Sequence, residues 1–258
     1  MTSKKLLMAL LCYFCFMLGF PGNSPADSGL TVAVAANFAP AMEEISELFT
    51  RKTNIPVQVT FSSSGRLYAH IRSGAPFDLF FSADKKRPAM LFEEGHCKQP
   101  VEYVRGSVVL WSRNIALCAE AGSWQSTVSG SGLRKIGITN PELAPYGAAA
   151  KEALVEEKLW NVVQDRLVFG ANVGQSFQYA ATGAADASFI ALSLAHTSTG
   201  NKGCFLSVPE AGPVAQSACI VCATKNRAAA EEFLTFMASD ETRVILLRYG
   251  YTEPNAVN

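Results

Sequence analysis

A chain of 258 residues with 49% hydrophobic and 17% charged residues has enough apolar surface for one large globular domain or two lobes of ordinary size. Its 22 basic and 22 acidic side chains balance to a formal net charge of +0, which leaves no electrostatic footprint for nucleic acid or for an anionic membrane surface. Any anion bound here has to be held by local dipoles.

Lys4 and Lys5 precede an apolar run from Leu6 to Phe20, and Pro21, Gly22, Asn23, Ser24 and Pro25 then lead to Ala26. A charged start, a hydrophobic centre and a small-residue exit form the pattern of a secretory signal peptide over residues 1–26, cleaved after Ala26. The run is short for a transmembrane helix. Cys12 and Cys15 lack the small residues that precede a lipoprotein cysteine, so the reading is a soluble exported protein. Five cysteines remain after processing: Cys97, Cys118, Cys204, Cys219 and Cys222. An oxidising compartment makes disulfides plausible, and the odd number leaves at least one thiol unpaired. Cys219 and Cys222 form a C-x-x-C inside ACIVCA, a strand-like run in which positions three apart face opposite ways. No second ligand pair follows, so structural cysteines are expected rather than a redox or zinc site.

The run LTVAVAA, residues 30–36, has the length and continuity of a central parallel strand buried on both faces. It stops at Asn37. Pro40 sits where a helix can start, and Met42, Ile45, Leu48 and Phe49 give that helix an inward stripe to about residue 52. Residues 57–61 form a β-branched strand, Ser62–Ser63–Ser64–Gly65 a turn, and Leu67, Tyr68 and Ile71 recur at helical spacing. A strand is expected over 78–82, with Asp84 capping a helix through Met90, Leu91 and Phe92; a strand over 107–112 follows a turn-rich patch. Beyond a Gly/Ser-rich stretch at 119–132 the alternation restarts. Strands are expected at 135–139, 167–169 and 187–190, and helices at 147–159 and 175–181. A strand from Gln216 and helices at 228–237 and 241–248 close the chain. Two runs of alternating strands and helices imply two α/β lobes, 27–106 with 214–258 and 107–213, with the backbone crossing between them twice.

Four turns share one property. Asn37, Ser64, Tyr146 and Val173 each stand between the end of a strand and the start of a helix, where first-turn N–H groups lack intrahelical partners and the helix dipole favours negative charge. Such positions lie at the carboxyl ends of the strands, where open parallel sheets bind ligands. The bland alternative for Ser64 is that it caps its own helix. Arg66 is the nearby cation, read as a solvated helix residue. Asp78, Asp84 and Asp186 sit at strand ends, where turn capping outweighs metal ligation, and Phe38 and Phe189 read as core. A hydrolase built from Ser62–Ser64, His70 and Asp78 lacks the G-x-S-x-G elbow, and His70, His96 and His196 are isolated.

The segments AANFAPAMEEI (35–45), SSSG with SGAPFDLFFSAD (62–84), ITNPELAPYG (138–147), NVGQ (172–175) and GAADASFIALS (183–193) together resemble the periplasmic molybdate-binding proteins of ABC importers, from residue 30 to about 251. The resemblance implies a two-lobed type II periplasmic binding protein fold, each lobe a mostly parallel sheet flanked by helices, with the ligand in the interlobe cleft. It implies that Asn37 and Ser64 contact the oxyanion from one lobe, and Tyr146 and Val173, through backbone N–H, from the other. Ser63 joins this set, as do Ala36 and Ala191, where some members carry a threonine or a tyrosine hydroxyl. The expected cargo is molybdate, with tungstate, passed to the permease of an ABC importer in the periplasm by a monomer. No cofactor, no metal coordinated directly by side chains and no catalysis are expected. Sulfate or phosphate in the same fold, and a sensor or adaptor in place of a transporter subunit, are the alternatives.

Overall fold

Residues 29–120 and 122–254 are described by the computed structural model of the chain; the expected signal peptide, 1–26, lies outside them. Strand β1 (Leu30–Ala35) is buried at every position but Thr31. It lies between β2 (Val57–Ser62) and β3 (Leu79–Phe81), parallel to both, and a strand with no solvent face needs apolar residues throughout rather than in alternation. A single 3-10 turn, Ala36–Phe38, leads from β1 into helix α1 (Ala39–Thr53), which buries Met42, Ile45 and Phe49. Then come α2 (Ser64–Arg72), α3 (Lys86–Glu93) and β4 (Val101–Gly106).

The second half repeats the plan. Strand β5 (Val108–Ser112) is followed by the short helices α4 (Ile115–Glu120) and α5 (Trp124–Ser129), β6 (Ile136–Thr139), α6 (Pro145–Glu156), α7 (Trp160–Val163) and β7 (Leu167–Gly170). Helix α8 (Val173–Thr182), β8 (Ala187–Ala191), α9 (Leu192–Ala195) and β9 (Cys204–Ser207) complete it, and β10 (Val214–Ile220), α10 (Arg227–Met237) and α11 (Asp240–Arg248) follow. The strands assemble into two sheets, ordered β2-β1-β3-β10-β4 and β7-β6-β8-β5-β9. In the first, β10 runs against β3 and β4; in the second, β5 runs against β8 and β9. The remaining strands of each sheet share one direction, so each is a mostly parallel α/β layer. The chain leaves the first sheet between Gly106 and Val108 and returns to it between Ser207 and Val214.

The structure adds elements where the sequence suggests turns. The patch before β5 is itself strand β4, half-exposed, with Glu102 and Arg105 paired on one another. The Gly/Ser-rich stretch contains α5, which starts at a Ser123–Ser126 capping box and is anchored by buried Trp124, whose indole N–H donates to Glu210 at 2.8 Å. Helix α6 begins at Pro145, two residues earlier than the expected 147.

Cys118 on α4 and Cys204 on β9 form a disulfide across 86 residues. Cys97 and Cys219 are buried thiols and Cys222 is exposed, so the two cysteines of the C-x-x-C do face opposite ways. Because the bridge constrains a long loop in the unfolded chain, reducing it or replacing Cys118 with alanine is expected to lower unfolding free energy by about 2–5 kcal/mol. Urea titrations with and without reductant check this, and the Cys118→Ala variant should be insensitive to reductant.

Candidate functional site

The four strand-to-helix turns converge. Ala36, Asn37, Ser63, Ser64, Tyr146 and Val173 line one small cavity, with Ser62, Ala83, Pro145 and Asn172 beside them, leaving about 10 Å³ for the centre of a small guest. Ala191 does not line it; it is fully buried at the end of β8, paired with Val108. No lysine or arginine side chain is among the lining residues, and Arg66 is exposed on α2.

Local capping explains which groups are available. Ser63, not Ser64, is the N-cap of α2: its Oγ accepts the Arg66 N–H at 3.4 Å. Ser64, the first helical residue, instead accepts the Ala83 N–H on its Oγ at 2.9 Å, which leaves its hydroxyl hydrogen for a guest. Asn172 caps α8 by accepting the Gln175 N–H at 3.0 Å, so Val173 is the first residue of that helix. Pro145 opens α6 and has no N–H, so the first donor of that helix is Tyr146. As first-turn residues, Ser64, Tyr146 and Val173 have main-chain N–H groups with no intrahelical acceptor, and Asn37 stands in the same position in its 3-10 turn.

The Asn37 side chain is committed elsewhere. Its Nδ2 donates to Gln216 Oε1 at 2.8 Å and to the Tyr251 hydroxyl at 3.1 Å. The Asn37 main-chain carbonyl accepts from Ser193 Oγ at 2.7 Å and from the Tyr251 hydroxyl at 2.8 Å. What Asn37 can offer the cavity is therefore its main-chain N–H. Gln216, Tyr103, Tyr251 and Ser193 carry no sequence pattern that assigns them to the site. The available signal is Gln216, a long amide in the mostly apolar, fully buried end of β10, where a polar residue must find partners.

Burial pushes the phenols of Tyr103, Tyr146 and Tyr251 above their ordinary value of 10.0. They stay neutral donors beneath the cavity and add no negative charge there. Since the folded-state values are raised, the associated stability is complete below about pH 10 and is lost as pH rises through them, because the unfolded chain releases these protons first. Urea midpoints are expected to hold up to about pH 10 and then fall, together with the appearance of tyrosinate absorbance. A midpoint unchanged to about pH 11 would contradict this.

Across the cavity the lobes touch directly. The Gly65 N–H donates to the Leu143 carbonyl at 2.9 Å and Arg87 Nη2 to the Glu142 carbonyl at 2.9 Å. The groups of the hydrolase alternative do not assemble: His70 is exposed, and Asp78 accepts from the Thr31 N–H and the side chains of Thr224 and Asn226. Asp84 stands one residue before Lys85, the N-cap of α3, and accepts the Arg87 N–H, and Asp186 accepts the N–H groups of Arg134 and Lys135. Among the described residues no cluster of three or more His, Cys, Asp or Glu could hold a metal ion. Phe38 and Phe189 are core residues.

Residues 30–252 match the bacterial extracellular solute-binding protein family. The chain is 35% identical over 230 residues to the molybdate-binding protein ModA of Rhodobacter capsulatus, covering 88% of this chain and 90% of that one. It is 32% identical to ModA of Azotobacter vinelandii, covering 85% and 88%. The solved periplasmic molybdate-binding protein of Azotobacter vinelandii superposes with a TM-score of 0.81 at 33% identity, covering 88% of this chain and 100% of that one. By its strand order, its converging helix starts and these likenesses, the chain belongs to the bacterial extracellular solute-binding protein family, alongside these molybdate-binding relatives.

Proposed function

We propose that this protein captures molybdate, and tungstate with it, outside the cytoplasm and delivers it to the permease of an ABC importer. The observation that carries this reading is a small cavity ringed by four helix starts from two lobes and lined by no cationic side chain. Its relatives' cargo agrees with that chemistry. Hydrogen bonds to a charged group contribute roughly 1.5–3 kcal/mol each. About five of them can offset the desolvation of a dianion and still leave the roughly 8 kcal/mol that micromolar binding requires.

A site made only of donors selects by size and by protonation. Molybdate and tungstate are larger than sulfate, which cannot reach every donor at once, and phosphate carrying a proton brings a donor to a site that has no acceptor to spare. The cargo enters as a whole oxyanion, with no cofactor and no side chain on the metal. The protein acts as a monomeric receptor without turnover, exported by a signal peptide cleaved after Ala26. Among the described residues no helix is long and apolar enough to cross a membrane.

Calorimetric competition on the mature chain tests the reading. Molybdate and tungstate are expected to bind below micromolar, with sulfate and phosphate about a hundredfold weaker or more. Sulfate or phosphate binding as tightly as molybdate would replace the proposed cargo.

A further inference from the structure

The four donor turns are divided between lobes, so they form one site only while the lobes are held in register. Asn37 and Ser64 belong to the first sheet's layer; Tyr146 and Val173 belong to the second. The buried Gln216 side chain touches both halves, as does the Ser193 hydroxyl through its bond to the Asn37 carbonyl. Gln216 on β10 accepts on Oε1 from Asn37 Nδ2 at 2.8 Å and from the Tyr103 hydroxyl at 3.2 Å, and its Nε2 donates to the Tyr146 hydroxyl at 3.2 Å. Asn37 and Tyr146 are also two of the four candidate anion donors, through their main-chain N–H groups.

The surroundings are built for this link. The pairing of β10 with β4 shifts register between Gln216 and Ser217, a local kink of the kind that re-aims side chains. On β4, a Cβ at Gly106 would stand 2.0 Å from the Tyr146 hydroxyl and 3.0 Å from Gln216 Nε2, so a glycine there admits the crossing. Among the described residues the buried side-chain atoms without a partner are Ser46 Oγ and Ser188 Oγ, neither of them in this network. A complete buried network is stiff, and removing one member leaves the others unpaired. The Gln216–Tyr146 bond also crosses between lobes. Both groups accept water readily, so the bond can open and reform as an apolar seam could not.

We infer that Gln216 is a positioning residue for anion capture, an amide that ties the Asn37 turn to the Tyr146 helix and so couples closure of the lobes to completion of the donor ring. The inference rests on reading the cavity as the oxyanion site.

The test uses Gln216→Met, which keeps length and volume but removes all three bonds, and Tyr146→Phe, which removes the hydroxyl while keeping the main-chain N–H. On the mature chain each is expected to weaken molybdate about tenfold, through faster release. The double variant should be no more than about threefold worse than the weaker single, because both cut the same link. A purely structural role would instead lower the urea midpoint without changing the release rate, and would give additive losses. Hydrogen exchange at the Gly65 N–H, which bridges to Leu143 across the cleft, reports closure without any guest, and both variants should speed it. If wild-type protein ignores molybdate while the variants still speed exchange, the cargo reading fails and the link stands. If wild-type protein binds and Gln216→Met matches it in affinity and exchange, the link fails; if wild-type protein ignores molybdate and exchange does not change, both fail.

Discussion

Replacing Ser64 with alanine is expected to weaken molybdate binding at least about tenfold, while Arg66→Ala changes it less than about threefold. The Ser64 hydroxyl has an acceptor lone pair engaged by the Ala83 N–H at 2.9 Å, so its hydrogen is turned to other acceptors, and the cavity is the space it lines. Losing one hydrogen bond to a dianion costs about 1.5–3 kcal/mol, and each 1.4 kcal/mol is a factor of ten. The Ala83 N–H is orphaned in both free and bound protein, so that penalty appears in stability and cancels from the affinity. Arg66 contributes only long-range attraction from an exposed position, which solvent and salt screen. Ser63→Ala separates capping from binding: it should cost stability, about 1 kcal/mol for a lost cap, with a smaller change in affinity than Ser64→Ala. Calorimetry on the three variants gives the ranking. A larger loss from Arg66 than from Ser64 would mean that charge, not oriented donors, holds the anion.

The parts of this architecture that show in the sequence are those with local causes. Strands β1 and β8 are buried along almost their whole length, so each announces itself as an unbroken apolar run. The donor turns are equally local, because a polar or glycine-rich break between a strand and an amphipathic helix needs only a few residues to be recognised. The division of labour between Ser63 and Ser64 was not legible. Either serine satisfies the capping pattern, and the choice depends on Ala83, at the end of a different strand. The support beneath the site is less legible still. Asn37 meets Gln216 and Tyr251 across 179 and 214 residues, and no periodicity encodes a pairing at that range. The outer strands β4 and β9 were missed because partly exposed edge strands mix polar and apolar residues without a clean alternation.

A single methyl group added at Gly65 is expected to weaken capture by obstructing closure. Its N–H donates to the Leu143 carbonyl at 2.9 Å across the cavity. A Cβ on residue 65 would stand 2.9 Å from that same oxygen, 3.2 Å from Leu143 Cα and 3.2 Å from Arg87 Nη2. The arginine can move aside; the Leu143 backbone is fixed in the turn before α6, where the Leu143 and Ala144 N–H groups donate to the Asn140 carbonyl. Overpacking of this kind costs about 1–3 kcal/mol, which corresponds to a loss of affinity between about fivefold and a hundredfold for Gly65→Ala. Apart from the movable Arg87 side chain, the methyl group meets only the opposite lobe, so the cost falls on the closed state. The ligand-free unfolding free energy from urea titration should therefore stay within about 0.5 kcal/mol of wild type. Small-angle scattering should show less compaction on adding molybdate than the wild-type chain shows, as expected when a ligand selects a closed arrangement that the variant cannot fully reach. If stability of the ligand-free protein fell as far as the binding free energy, the lobes would be shut with or without cargo, and capture by closure would have to be abandoned.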